Sequence, residues 1–234
     1  MTQNPDLTHW VPPPLPARIP LQGRYARLEP LAPDHAAELF DAYAEDTRGA
    51  LWRYLGHGPY ADAAAYARWV GTARLQHDPL HFAIRMADAR LGGTIALARI
   101  APAAGSIETG WLTFAPRLQR TREATEAVFL LMQWAFDAGY RRFEWKCNAR
   151  NLRSRRAATR LGFSYEGIFR QADVVKGHNR DTAWFAAIDA EWPALRTALA
   201  TWLDPSNFDP AGRQIQSLRA LTRPILAGPD PIAD

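Results

Sequence analysis

The sequence predicts a mixed α/β sheet built as one domain, and three observations carry that reading. Strand-like and helix-like stretches follow one another in the order β-α-α-β-β-β-α-β-α-β-β, with no internal repeat. At the centre stand a strand, a short basic loop and a long helix, from Ile107 to Asp137. The composition is ordinary for a globular chain: of 234 residues, 47% are hydrophobic and 22% charged, enough to bury a core without staples.

Residues 1–21 carry Pro5, Pro12, Pro13, Pro14, Pro16 and Pro20, too many for a helix or a central strand. An extended arm is expected there, pinned by Trp10. Gly23 to Leu31 reads as a strand, and Pro33-Asp34 opens a helix through about Ala44 with Leu39, Phe40 and Tyr43 on its apolar side. Residues 46–60 are irregular, broken by Gly49, Gly56, Gly58 and Pro59. Asp62 caps a second helix through Gln76. His81 to Met86 and Gly93 to Ile100 form a predicted hairpin, turned through Asp88-Ala89-Arg90 and Gly92-Gly93.

Ile107 to Phe114 is rich in β-branched and aromatic residues and stops at Ala115-Pro116. Thr121 is the predicted N-cap of the long helix, whose polar positions Arg122, Glu126, Gln133 and Asp137 fall in one narrow arc. Gly139 is its stop. Arg142 to Cys147 alternates as a strand, and Asn148 to Asn151 turns into a short helix, Leu152 to Leu161, closed by Gly162. Phe163 to Val175 and Arg180 to Asp189 are two more strands joined through Lys176 to Asn179. A last helix, Pro193 to Leu203, precedes what reads as a polar tail.

A net charge of +4 suits anionic ligands but is weak support for nucleic acid. The single cysteine, Cys147, excludes an internal disulfide and any multi-cysteine metal site, and reads as a buried reduced thiol because no histidine partner is evident. His77 and His81 are separated by Pro79, which breaks the helix that would align them on a metal, so no metal is expected. No basic start followed by an apolar run marks a signal peptide, and no stretch reaches the roughly 20 apolar residues a membrane span needs. A cytoplasmic protein is expected. The loop before the long helix carries Arg117, Arg120 and Arg122 beside helical N–H groups without internal partners, which suits a pyrophosphate. The alternative is a solvated basic loop after a core strand.

The element order resembles the GNAT superfamily of acyl-CoA N-acyltransferases, and within it the Rim-type branch of ribosomal-protein N-terminal acetyltransferases. The residues that carry the resemblance are Ile107-Glu108-Thr109-Gly110-Trp111, the basic loop, Thr125-Glu126-Ala127, Asn151-Leu152-Arg153-Ser154, Leu161-Gly162-Phe163 and Glu166-Gly167. The match spans about Gly23 to Trp192. It implies a Pro-rich arm over 1–21, a GNAT-like domain over 22–192, and a C-terminal helix and tail over 193–234. It also implies a central sheet, flanked by helices, that splays open between the strands ending near Phe114 and near Cys147, with acetyl-CoA as cosubstrate in the gap. One departure is plain. The family loop reads Gln/Arg-x-x-Gly-x-Gly/Ala, whereas here Arg122 stands at the first glycine position, within Gln119-Arg120-Thr121-Arg122-Glu123-Ala124.

The resemblance further assigns roles. Backbone groups of Trp111, Leu112 and Thr113 would bind pantetheine and the acetyl carbonyl, and Arg117 with Gln119 to Ala124 the pyrophosphate. Asn151 matches a pantetheine-contacting asparagine, with Asn148 in the same turn. Arg153, Arg155, Arg156 and Arg160 crowd the short helix and cannot all face one ligand, so one or two, Arg156 among the candidates, would meet the 3′-phosphate and the rest are solvated. Ser154 matches the residue that protonates the thiolate. Glu108 and Asp173 are the two candidate bases for the amine, and each also reads as a salt-bridged strand carboxylate. Glu126 fits the family pattern but lies on the polar stripe and is taken as structural. Trp52, Tyr54, Tyr60 and Trp69 would shape an acceptor cleft. The implied activity is acetyl transfer to a primary amine (a protein N-terminus, a small amine or an amino-acid-like acceptor) by direct attack in a ternary complex. The missing loop glycine keeps open a non-catalytic acyl-CoA-binding or regulatory module, and nucleic-acid binding ranks last. A homodimer through the second half of the sheet is a further expectation of the family.

Overall fold

The computed structural model describes residues 6–232. Its first strands, β1 (Leu21–Gln22) and β2 (Ala26–Pro30), lead through a single 3-10 turn into α1 (Ala36–Ala44). Then come α2 (Ala63–Ala73), β3 (Leu80–Met86), β4 (Leu91–Ala101) and β5 (Ser106–Phe114). The long helix α3 (Arg122–Asp137) is followed by β6 (Arg142–Asn148), α4 (Leu152–Arg160), β7 (Ser164–Val175) and β8 (His178–Ile188). Two helices close the chain, α5 (Trp192–Leu203) and α6 (Leu218–Thr222). The strands form one eight-stranded sheet in the order β1-β2-β3-β4-β5-β6-β8-β7, in which β5 and β6 alone are parallel. That is the mixed, open sheet expected from the element order.

Each face of the sheet has its own core. On one face, Leu28, Phe82, Ile95, Ile107 and Phe143 pack with Val128, Leu131 and Met132 of α3 and with Leu195 and Leu199 of α5. On the other, Ala83, Leu91 and Ala115 pack against Leu39 and Tyr43 of α1 and Tyr66 and Val70 of α2. Strand alternation assigns the faces: Ile107 goes to the α3 side and Glu108 to the side of α1 and α2. Among the described residues, no helix is long and apolar enough to cross a membrane.

Two expectations need amendment. Glu126 is on the polar arc of α3, yet it is buried and accepts backbone N–H groups from Arg24, Tyr25 and Ala26 at 2.9, 2.6 and 2.6 Å. A methyl group on Gly23 would collide with that carboxylate, which explains the glycine. The segment after α5 is not a solvated tail either. Leu218 and Thr222 are buried, the Phe208 ring meets Trp202 edge-on at 5.3 Å, and the Asp230 carboxylate grips Arg155 at 2.7 and 2.5 Å. Both members of that pair are almost fully buried. The first five residues of the expected N-terminal arm, and residues 233–234 of the tail, lie outside the described residues. The rest of the arm is pinned as expected, with the Trp10 ring on Gly105 and under the Arg141 guanidinium, and Pro14 accepting the Tyr140 hydroxyl.

Candidate active site

The parallel ladder between β5 and β6 runs only from Ser106↔Arg142 to Thr109↔Trp145. Beyond that rung both strands continue, β5 to Phe114 and β6 to Asn148, without pairing to each other. The divergence has a local cause. Between Ala96↔Gly110 and Thr94↔Thr113 β5 spends one residue more than β4, and Trp111 takes the left-handed conformation at φ 56°. Such a bulge bends its strand and leaves backbone groups off the ladder. The groups of Gly110 to Phe114 that face β6 thus present an unpaired edge, able to accept an extended chain carrying amide groups.

At the end of that edge the loop turns into α3. Thr121 caps the helix, its hydroxyl accepting from Ala124 N–H at 3.1 Å and donating to the Leu118 carbonyl at 2.7 Å. The first-turn N–H groups of Arg122 and Glu123 have no helical acceptor and lie at the positive end of the helix dipole. The three arginines are not equivalent. Arg117 is ion-paired with Glu45, its Nε 2.7 Å from the carboxylate. The Arg122 guanidinium lies 4.7 Å from the rings of both Tyr25 and Phe208. Arg120, with φ 67°, is exposed at the turn, and Gln119 braces the loop through Nε2 on the Phe114 carbonyl at 2.8 Å. Free helical amides, an exposed arginine and an unpaired strand edge together fit a pyrophosphate-linked pantetheine, with Arg120 the loop cation open to the phosphates.

Across the gap, Asn151 caps α4, its Oδ1 accepting from Ser154 N–H at 3.3 Å, while Asn148 Oδ1 accepts from Arg150 N–H at 2.9 Å. The Ser154 hydroxyl oxygen accepts the indole N–H of Trp145 at 3.0 Å. Trp145 is the last rung of the parallel ladder, so this bond fixes Ser154 beside the point where the strands part. With one lone pair taken, the hydroxyl keeps its hydrogen to donate, and the neighbouring Cys147 sulfur is within its reach. Cys147 is buried, and burial pushes its thiol up to about 11, so it is no nucleophile at neutral pH. Arg156 is exposed on α4, and Arg155 is committed to Asp230. A small polar cavity of about 220 Å³ lined by Asn148, Arg150, His178, Asn179 and Asp181 opens at the end of β6.

The two candidate bases differ sharply. Asp173 is exposed on the outer part of β7, its oxygen accepting the N–H of Val174 at 2.8 Å. Glu108 is buried, on the same sheet face as Gly110, with Lys146 Nζ at 3.2 Å and Arg99 Nε at 3.5 Å. Burial raises its carboxyl to about 7 despite those cations, with Glu144 on the next strand adding to the rise. A carboxylate that titrates near neutral pH is suited to taking a proton from an amine.

Over the same face, the irregular segment expected at 46–60 folds down between α1 and α2. Its anchors are Lys176 Nζ on the Trp52 carbonyl at 3.0 Å and the Tyr54 hydroxyl on the Arg150 carbonyl at 3.3 Å. Trp52, Tyr60 and Trp69 meet one another in this region, around a centre that the sequence analysis did not name. His57 stacks against Trp69 (5.0 Å, 3°) and against Trp111 (5.3 Å, 28°), while His81 stands edge-on to both indoles at 5.4 and 5.5 Å. Burial lowers both imidazoles to about 4, so both are neutral, and His57 Nε2 and His81 Nδ1 are buried without a hydrogen-bond partner. The available signals were the density of tryptophans and the glycines on either side of His57.

Residues 26–164 match the family model described as an acetyltransferase (GNAT) domain. A GCN5-related N-acetyltransferase from Brucella melitensis is 47% identical, with 92% of this chain and 99% of that one covered at a TM-score of 0.90. A probable GNAT-family acetyltransferase from Chromobacterium violaceum is 39% identical, covering 83% and 98% at a TM-score of 0.76. The Salmonella typhimurium acetyl transferase that modifies the N-terminal serine of ribosomal protein L7/L12 shares the fold alone, at 22% identity, coverage of 71% and 96%, and a TM-score of 0.61. No curated protein matches the sequence.

Proposed function

Because the chain belongs to the GNAT acetyltransferase family, we propose that it moves an acetyl group from acetyl-CoA to a primary amine by direct attack in a ternary complex. The observation that carries the reading is the parallel ladder that stops at Thr109↔Trp145, with the Trp145 indole holding Ser154 at the opening.

When bound, the cosubstrate supplies the acetyl group as a thioester. The chain does the rest. Unpaired backbone groups of Gly110 to Thr113 orient the acyl carbonyl and can donate to its oxygen as charge develops, an effect worth a few kcal/mol per aimed N–H. Glu108 accepts the ammonium proton, directly or through water, so that the neutral amine forms the C–N bond. Ser154 gives its proton to the sulfur as the C–S bond breaks and recovers one, through water, from the nitrogen that has become the amide, while the first turn of α4 favours the transient negative charge. The N–H groups before α3, with Arg120, hold the diphosphate, and Arg156 on α4 is placed for the 3′-phosphate. Asp173, on the exposed hairpin, is the weaker of the two base assignments.

The acceptor is a protein N-terminus, a small amine or an amino-acid-like compound. The Rim-type reading favours the first and rests on the motifs in the sequence. A heat-shift titration with acetyl-CoA, CoA and ATP tests the core of the proposal. Stabilisation by both CoA species and not by ATP is expected; no response to either CoA species would overturn it.

A further inference from the structure

The rings around Trp111 form a slot. Trp69 and Trp111 are its walls, each near-parallel to the imidazole of His57, and His81 closes the floor at 78° and 76° to the two walls. We propose that this slot is the acceptor-recognition subsite for a flat, uncharged aromatic ring on the amine substrate, and that His57 occupies it in the free protein as a displaceable stand-in. The inference rests on the acyl-transfer reading for where the amine goes, but not for what the slot binds.

Four observations support it. First, parallel walls filled by one planar ring match an aromatic system, whereas a cage for a quaternary ammonium turns ring faces inward from several directions. Second, both imidazoles are neutral, and among the described residues the charges that act on them are cationic, Lys176 on His57 and Arg18 on His81, so the slot offers no counter-charge to a cation. Third, His57 is a poor permanent occupant. It makes one hydrogen bond, Nδ1 with the Tyr60 hydroxyl at 3.0 Å, and its buried Nε2 has none. A hydrocarbon ring in its place would remove the stranded Nε2 and give up only the one bond to the Tyr60 hydroxyl. His57 is followed by Gly58 at φ 61°, a backbone conformation that side chains rarely adopt, and preceded by Gly56, whose Cβ position is open. Fourth, the slot lies beside the reacting centre. Trp111 is the bulge residue where β5 leaves β6, and His81, Ala96 and Gly110 lie side by side across three strands on the face that carries Glu108. A ring held there puts an amine on a short tether beside the strand edge and the candidate base.

The test compares 2-phenylethylamine with 2-cyclohexylethylamine, equal in reach and similar in apolarity but not in flatness, and with (2-aminoethyl)trimethylammonium. Binding to the full chain loaded with CoA is measured calorimetrically, and acetylation by kcat/KM. The phenyl compound should bind and react about tenfold better than the cyclohexyl one, the sum of two stacking contacts. His57→Ala should lower KM for the phenyl compound severalfold, and Trp69→Leu should erase the preference. Equal binding of phenyl and cyclohexyl compounds, or preference for the trimethylammonium, overturns the slot. Ring-selective binding without turnover of any amine leaves the slot standing and overturns the transferase reading instead.

Discussion

Two sets of buried polar side chains in this protein are built on opposite plans. On the α3 and α4 side, the buried charges Glu126 and Arg155 have their partners, although the Trp192 indole N–H packed against α3 has none. Glu126 takes three backbone N–H groups, and Arg155 meets both oxygens of Asp230 and the Ala149 carbonyl at 3.0 Å. On the α1 and α2 side, His57 and His81 each keep a buried nitrogen without a hydrogen bond, and the buried Glu108 Oε2 has only its ion pairs to Lys146 and Arg99. Their protonation is displaced the costly way, imidazoles down and carboxyl up. An unsatisfied buried polar atom costs about 1–3 kcal/mol, so the second set is destabilising unless something else uses it. The contrast separates structure from chemistry. The charges of one side are closed upon themselves; the other side is the one the proposed function puts to use.

The largest effect should follow from opening the closed side. Asp230→Ala leaves the Arg155 guanidinium buried without its carboxylate and should cost about 3–5 kcal/mol, read as a lower denaturant midpoint. An exposed carboxylate such as Asp137, replaced by alanine, should change the midpoint little. Acidification probes the open side. His57 and His81 bind protons more weakly folded than unfolded, with Lys176 near the first and Arg18 near the second reinforcing burial. Their contribution is therefore intact above about pH 6.5 and lost as the pH falls towards 4, on the order of 3 kcal/mol for each ring. His57→Phe should flatten part of that loss.

Glu108 has the opposite sign. Its raised pKa means the folded protein holds the proton more tightly, so its stabilising contribution is present below about pH 4.5 and lost as the pH rises through 7. Glu108→Gln should accordingly gain stability relative to the parent between pH 5 and 8. It should also lose roughly 10²-fold in kcat, together with the limb of the pH–rate profile that rises through about 7. A profile that keeps this limb would move the base elsewhere, with Asp173→Asn the variant to measure next.

The closed side was also the less legible one. Alternating strands, caps at Asp62, Thr121 and Asn151, and the breaks at Gly139 and Gly162 announce the sheet and its helices, because those signals are local. The partners of Glu126 and Arg155 come from residues about 100 and 75 positions away, and no periodicity reports such distances. The segment after Leu203 reads as polar because its short turns, broken by Pro205, Gly212 and Pro224, never sustain an apolar repeat, although Phe208 and Leu218 are held in place. In the site, Ser154 and Glu108 could be named from motif positions. The engagement of Arg117 by Glu45, of Arg122 by two rings, and of His57 by two indoles depends on packing between elements and had no sequence signature.

The smallest effect is the most discriminating, because Ser154 belongs to both plans at once. Its hydroxyl satisfies the Trp145 indole N–H, a structural task, and carries the proton assigned to the leaving thiolate, a chemical one. Ser154→Ala should lower kcat about tenfold with KM for acetyl-CoA little changed, and should cost about 1–2 kcal/mol in stability by stranding the indole N–H. Trp145→Phe removes the orphaned donor while keeping an aromatic ring against Phe163, whose centroid lies 5.6 Å away. If the two tasks are separable, combining Trp145→Phe with Ser154→Ala recovers part of the lost stability and none of the lost kcat. Recovery of both together would mean that Ser154 acts only by holding the tryptophan in place, and the proton for sulfur would then have to come from solvent.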